Sequence, residues 1–241
     1  MINLLSSWGW GRVISLTIID LEDVSFVSHG HTVIDHLNLK VEQGDFLAIC
    51  GSEGSGKSAL LKIISTLLEP TSGIVSITDD TAVRMGITAY RQQVAFCFQK
   101  PILFGRTVRD NLTFPFTLRH TTLDLGLVEQ YFRAALLPAT TIDRLICELS
   151  MGEKQLIVLI RNLLLLPKVL LLDEITADVD EQEKTQLHRL IQQAHQQGMM
   201  VIMATLDRGI LPLATRHLKL ANGKLESKVQ TEDELTNIIR L

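Results

Sequence analysis

The sequence reads GSEGSGKS from Gly51 to Ser58, between the apolar run FLAIC at residues 46–50 and an apolar pattern of helical spacing at residues 58–68. This octapeptide fits G-x-x-x-x-G-K-[ST], and a buried strand before it with a helix after it is the context that the pattern requires. Glycines let consecutive backbone N–H groups turn towards phosphate oxygens, and the start of the helix adds a positive dipole. A plain Gly/Ser-rich turn is the alternative, but the flanking elements favour a phosphate-binding loop.

The loop predicts individual contacts to a nucleotide. Lys57 is expected to reach the β- and γ-phosphates, and the Ser58 hydroxyl is expected to ligate Mg²⁺. Because the backbone forms the cradle, every position of the loop is a candidate. The predicted nucleotide-binding residues are Gly51, Ser52, Glu53, Gly54, Ser55, Gly56, Lys57 and Ser58.

A second apolar run, VLLL at residues 169–172, ends in Asp173 and Glu174. In a P-loop protein we expect this strand to lie beside the strand that precedes the phosphate loop. Asp173 would then hold Mg²⁺, directly or through water, and Glu174 would act as the base that orients the attacking water. Two acids at a strand end are by themselves more simply solvated, so the catalytic interpretation depends on the phosphate loop upstream.

The segment LSMGE at residues 149–153 precedes a long apolar helical pattern. Ser150 and Glu153 have the spacing of a capping box, which is the structural interpretation. In the functional interpretation, Ser150 and the backbone of Gly152 face the γ-phosphate that a second subunit binds. A helix N-terminus suits both roles, so the two interpretations are compatible.

Composition narrows the class of protein. The 241 residues include 23 Lys+Arg and 27 Asp+Glu, and the net charge of -4 is not that of a nucleic-acid binder. Hydrophobic residues make up 46% of the chain. This predicts a large aliphatic core, an apolar docking surface, or both. The three cysteines, Cys50, Cys97 and Cys147, form no disulfide framework and fit a reducing cytosol.

The sequence predicts no membrane span and no signal peptide. The longest apolar tract, residues 156–172, contains Arg161, Pro167 and Lys168, whereas a spanning helix needs about 20 mostly apolar residues. The apolar start of the chain carries Arg12 and no small-residue cleavage site follows it. Residues 1–15 are expected to form an N-terminal extension.

Hydrophobic periodicity predicts strands that alternate with helices, and therefore a mostly parallel sheet with a helical lobe at about residues 100–155. Strands are expected at residues 16–26, 33–41, 46–50, 74–78, 94–98, 169–172 and 199–204, with a hairpin at 216–226. Helices are expected at residues 58–68, at 107–139 with breaks at Pro115 and Pro138, at 150–166 and at 181–197. A capping box at residues 231–234 predicts a last short helix.

The phosphate loop, the LSMGE segment and the strand that ends in two acids follow one another along the chain. With these three motifs in this order, the chain resembles the ATP-binding subunits of ABC transporters. The resemblance runs from about residue 16 to the C-terminus, so residues 16–241 would form one ATPase domain. It implies an α/β P-loop NTPase core, an N-terminal antiparallel β subdomain and an inserted α-helical subdomain. Gln99 matches the glutamine that touches Mg²⁺ and the coupling surface, and Asp180 matches the aspartate of the loop after the catalytic strand.

The resemblance also implies cofactors and partners. ATP and Mg²⁺ would bind between two copies of the chain in a head-to-tail dimer. An integral membrane permease would be the partner, and the protein would lie on the cytoplasmic face of a bacterial inner membrane. A narrower resemblance, to ATP-binding subunits of bacterial iron exporters, rests on Glu153 and on four segments: residues 90–94, 101–105, 110–112 and 167–176. It implies export of iron, with a different transported solute as the alternative.

Four positions depart from the family pattern. Met151 replaces a glycine and could crowd the facing γ-phosphate, Leu156 replaces an arginine, and Ala177 replaces a serine. Leu206 stands where the family has a histidine that contacts the γ-phosphate. Loss of one such donor typically costs about 10²–10³ in rate, so we expect hydrolysis to be slow or partner-dependent.

The histidines are expected to be ordinary surface residues. Ser28 stands where the family has an adenine-stacking aromatic, and Phe26, His29 or His31 are the candidate substitutes. A solvated loop is the simpler interpretation of His29, His31 and His36. His188 and His195 share a predicted helix, and both are interpreted as exposed.

Two further functions compete with transport. A nucleotide-binding regulatory module that seldom hydrolyses ATP is favoured by Leu206 and Met151. A chromosome- or repair-type ATPase of the same family would need long coiled-coil or zinc insertions, and the sequence has none. The helical lobe and Gln99 favour transport, because a lone switch needs no such docking surface.

Overall fold

The computed structural model describes residues 18–78 and 86–229. Two expectations therefore lie outside the described residues: the N-terminal extension at 1–15 and the short helix after residue 231. The same holds for the first two residues of the strand expected at 16–26.

The described part of the chain has nine strands, which form two sheets. The larger has the order β5-β6-β7-β3-β8-β9, in which every neighbouring pair is parallel except the antiparallel pair β8–β9. The smaller is antiparallel with the order β2-β1-β4. The strands are β1 Ile18–Ser28, β2 His31–Glu42, β3 Phe46–Cys50, β4 Ser72–Thr78, β5 Val94–Cys97, β6 Val169–Asp173, β7 Met200–Ala204, β8 Arg216–Ala221 and β9 Lys224–Val229.

Within residues 18–78 and 86–229, six α-helices connect the strands. Helix α1 leaves the phosphate loop, whereas α3, α4 and the start of α5 form the helical lobe between β5 and β6. The helices are α1 Lys57–Ile64, α2 Ile87–Gln93, α3 Val108–Leu118, α4 Leu125–Ala134, α5 Met151–Leu163 and α6 Glu181–Gln196. Short 3₁₀ turns occur at Ala139–Asp143, Ile146–Glu148 and Leu211–Leu213.

Both faces of the larger sheet are covered, which explains why its central strands are uniformly apolar. Leu170 and Leu172 of β6 pack into a core with α3 to α6, whereas Val169 and Leu171 pack with α1 and the smaller sheet. Cys50 and Cys97 lie in this buried layer, and burial raises the pKa of each thiol to about 11. The predicted α/β class, the antiparallel subdomain and the helical insertion are confirmed.

The strand order corrects one expectation. Strand β6 does not lie beside β3, because β7 hydrogen-bonds to both and separates them. The carboxylates at the end of β6 nevertheless face the phosphate loop, since helix α1 packs against both β6 and β7.

Two helix predictions also need correction, and one helix was not predicted. Helix α1 ends at Ile64 instead of Leu68, because Thr66 has φ +61° and the N–H groups of Leu67 and Leu68 both donate to the carbonyl of Lys62. Pro115 does not break its helix but lies inside α3, which ends at Leu118. Helix α2 was not predicted; it is anchored by the buried Tyr90, whose hydroxyl donates to the carbonyl of Ile64 at 2.6 Å.

Across residues 18–78 and 86–229, no helix combines the length and the apolar character that crossing a bilayer requires.

Candidate nucleotide-binding site

The loop at residues 51–58 connects β3 to α1. Its backbone conformation depends on glycines with positive φ and on a hydrogen bond to another part of the chain. Gly54 has φ +77°, and Gly56, the N-cap of α1, has φ +105°. A Cβ at Gly56 would lie 2.7 Å from the carbonyl oxygen of Val33, so only glycine fits there. The carbonyl of Ser55 accepts the N–H of Gly223 at 3.1 Å, which ties the loop to the β8–β9 turn.

Lys57 is the charged centre of the loop, and it is almost fully buried. Its ammonium group donates to the carbonyls of Gly51 at 2.7 Å and Ser52 at 3.0 Å. Its third contact is an ion pair of 3.1 Å with Oε1 of Glu174. An ammonium group has three protons, so these contacts satisfy it completely. A phosphate bound at Lys57 would have to displace one of these partners, and Glu174 is the anionic one.

Ser58 and Asp173 bring two oxygen ligands together. The Ser58 hydroxyl donates to Oδ1 of Asp173 at 2.7 Å, across the gap between α1 and the end of β6. Burial raises the pKa of Asp173, and the hydrogen bond from Ser58 opposes that shift. A hydroxyl and a carboxylate at this spacing fit Mg²⁺, which prefers oxygen ligands.

Ser55 adds a second indication that the loop is built for a ligand. Its hydroxyl oxygen is buried and has no hydrogen-bond partner among the described residues. A buried polar atom without a partner is costly, and a phosphate oxygen would satisfy it. Ser52, Glu53 and Gly54 are exposed along the same loop, so a phosphate can reach its backbone N–H groups.

Glu174 has a backbone conformation that is uncommon for its type. Its φ is +49°, and its N–H donates to the carbonyl of Ala204 at 3.0 Å, which fixes it at the end of the sheet. A cavity of about 220 Å³ opens beside it, with Leu206 and Lys184 in its wall. The Leu206 side chain is 63% exposed and offers no hydrogen-bond donor there.

Gln99 lies exposed after β5, and its carbonyl accepts the side-chain amide of Gln155 at 2.5 Å. Among the described residues, no hydrogen bond brings its side chain to Asp173 or Ser58. Sequence reasoning did not assign a role to Gln155, which is 1% exposed and fixes the segment after β5 against α5. The signal available was its polarity within an otherwise apolar helix face.

The capping box at the start of α5 is confirmed. The Ser150 hydroxyl accepts the N–H of Glu153, and the Glu153 carboxylate accepts the N–H of Ser150, both at 2.9 Å. The carboxylate of Glu183 contacts Ser150 and Gly152 at the same place. No hydrogen bond or ion pair of the described residues links residues 149–153 to the phosphate loop of the same chain.

Asp180 is exposed and caps α6, accepting the N–H of Glu183 at 2.8 Å.

Two of the histidine interpretations were wrong. His188 is only 17% exposed and pairs with Asp207 at 2.8 Å, beside Leu206. Burial opposes ionisation of Asp207, but hydrogen bonds from Gly209 and His188 lower its pKa overall. His195 is half-buried against the Gly44 carbonyl. His29, His31 and His36 are exposed, as expected.

Comparison with known proteins gives one consistent family. A family profile described as ABC transporter matches residues 34–177. The chain is 38% identical over 192 residues to the probable iron export ATP-binding protein FetA of Escherichia coli K12, covering 79% of this chain and 85% of that protein. It is 33% identical to the ergothioneine transport ATP-binding protein EgtV of Helicobacter pylori, covering 84% and 97%.

A solved structure supports the same family. The dimeric structure of MJ0796, a bacterial ABC transporter cassette, superimposes with a TM-score of 0.73 at 25% identity, covering 88% of this chain and 99% of that chain.

Gly56→Ala tests whether the loop conformation is required. The positive φ alone costs about 1–3 kcal/mol, and the clash with Val33 adds to it. We expect urea unfolding to show a loss of stability together with a loss of nucleotide binding. Gly54→Ala is the matched control, since its φ is also positive but the space around it is open. Equal losses in the two variants would contradict the role given to the contact at Val33.

Asp173→Asn tests the buried carboxylate. Since burial raises its pKa in the folded state, the ionised form of Asp173 destabilises the fold, and this penalty grows as pH rises above the unfolded value of 3.8. At pH 7 we expect the variant to melt at the same or a higher temperature without ligand, and to lose the stabilisation that MgATP gives the wild type. Asp178→Asn, at an exposed neighbour, should change neither value. A large fall in melting temperature without ligand would contradict this account.

Proposed function

The chain belongs to the ABC transporter family as an ATP-binding subunit with ATPase activity. We propose that it binds MgATP between two copies of itself and drives export of a solute. Iron is the proposed solute, because the relative FetA is named a probable iron export protein. The proposal rests on one observation: Lys57 and Ser58 of the phosphate loop contact Glu174 and Asp173, the two acids at the end of β6.

Binding of ATP exchanges the partners of Lys57. The β- and γ-phosphates take the place of Glu174 beside the ammonium group, and the backbone N–H groups of residues 51–58 surround them. Released from Lys57, the Glu174 carboxylate is free to orient water and accept its proton. Ser58, Asp173 and Gln99 would hold Mg²⁺, which supplies neutralisation of charge on the phosphate oxygens.

The second copy supplies the rest of the site. Ser150 and Gly152 stand at the N-terminus of α5, where the helix dipole favours an anion, and they would face the γ-phosphate of the partner. Asp180 would lie between the copies. Two such sites close in one head-to-tail dimer, which is consistent with the dimeric form of MJ0796.

The membrane partner would be a permease of the FetB type, with this chain on the cytoplasmic face of a bacterial inner membrane. The helical lobe carries exposed apolar side chains that suit docking: Ile102 at 53%, Phe114 at 45% and Leu118 at 64% exposure. Ile102 lies close in sequence to Gln99, which would link the docking surface to the nucleotide. Iron is supported by the identity to FetA, whereas EgtV is named for ergothioneine, so the permease must decide the solute.

Glu174→Gln tests the hydrolytic step. We expect ATP turnover by the purified protein to fall by about 10²–10⁴-fold, because the base is lost. Nucleotide should bind more tightly, since the neutral amide no longer competes for Lys57. Glu129→Gln, on the exposed face of α4, is the control. Turnover that survives Glu174→Gln would exclude the proposed role.

Leu206→His tests whether the missing donor limits hydrolysis, as it would in a regulatory module that seldom hydrolyses ATP. The exposed Leu206 and Met151 favour such a module. A histidine there would restore a donor near the γ-phosphate, so we expect kcat to rise about tenfold or more. KM should change little. An unchanged kcat, with or without the permease, would show that the missing donor does not limit the reaction.

A further inference from the structure

An acidic side chain covers the N-terminus of α5. Glu183 lies in the first turn of α6, and its Oε1 accepts a hydrogen bond from the Ser150 hydroxyl. The same carboxylate packs against Gly152, in the space that a side chain at residue 152 would fill. The element proposed to bind the partner's γ-phosphate therefore already holds an anion from its own chain.

This contact uses up the hydrogen-bonding capacity that a phosphate would need. A serine hydroxyl has one proton, and that of Ser150 is donated to Glu183. Its oxygen also accepts the N–H of Glu153 at 2.9 Å. A carboxylate at the positive end of a helix is itself favourable, so the arrangement is stable without a ligand.

Glu183 is also connected to the loop that would face the second copy. The Asp180 carboxylate caps α6 by accepting the N–H of Glu183 at 2.8 Å. Movement of Asp180 against a partner would shift the first turn of α6, and with it the carboxylate on Ser150. Release of the contact and approach of the second copy would thus be one event.

We propose that Glu183 competes with the γ-phosphate of the second copy for Ser150 and Gly152, and so sets the nucleotide concentration at which two copies close. This inference rests on the proposed function. In the separate chain Glu183 occupies the site; in the closed dimer it has left Ser150, and the phosphate has taken its place. Among the described residues, no hydrogen bond or ion pair joins Glu183 to the phosphate loop, so we expect the first binding of ATP to one chain to be independent of it.

The test is Glu183→Gln, which keeps the shape and removes the charge. Both the variant and its reference carry Glu174→Gln, so that ATP is not consumed. The dimer fraction is measured by light scattering against MgATP concentration. We expect the midpoint for Glu183→Gln to fall about tenfold, because a charge-assisted hydrogen bond becomes a neutral one at each of two sites. Glu183→Ala should shift it in the same direction.

Glu181→Gln is the matched control. It removes the same charge from the same turn of α6, but its carboxylate is exposed and pairs with Lys184 instead of Ser150. The inference is overturned if the midpoint for Glu183→Gln is unchanged or higher, or if Glu181→Gln lowers it equally. Binding to single chains, measured by calorimetry below the dimer midpoint, should be the same in both variants. Failure of every variant to bind MgATP would overturn the proposed function as well.

Discussion

A buried ammonium group is the constraint on which this structure depends. Lys57 is 4% exposed, and burying a charge is expensive unless it is paired and hydrogen-bonded. The carbonyls of Gly51 and Ser52 and the carboxylate of Glu174 meet that need from two distant parts of the chain. Because the third partner is a side chain that can move away, the same arrangement that stabilises the free protein leaves a place for a phosphate.

The sheet brings those distant parts together. Strands β3 and β6 are parallel to the β7 that separates them, so the phosphate loop and the two acids emerge at the same edge. Helix α1 spans the intervening strand, and Ser58 in its first turn reaches Asp173. The paired contacts Lys57–Glu174 and Ser58–Asp173 thus couple the loop to the end of β6 in the free chain. In a similar way, the contact of Glu183 with Ser150 places a carboxylate where the proposed partner phosphate would bind.

Local signals in the sequence were sufficient to predict much of the fold and of the candidate site. The glycines of residues 51–58, the uniformly apolar strands and the Ser150–Glu153 box each act within a few residues, and each was predicted correctly as structure. Features that depend on tertiary neighbours were not: the position of β7, the end of α1 at Ile64, Pro115 inside α3, and the pairing of His188 with Asp207. The contact of Glu183 with Ser150 was not predicted for the same reason, because the two residues are 33 positions apart in the sequence.

Calorimetry of MgATP binding to the wild type and to Lys57→Ala tests whether the buried ammonium group holds the nucleotide. The account predicts a saturable binding heat for the wild type and none for the variant, which retains the loop backbone but lacks the cation. Lys62→Ala, in the same helix, should bind like the wild type. Equal binding heats for the wild type and Lys57→Ala, or no heat from either, would contradict the account.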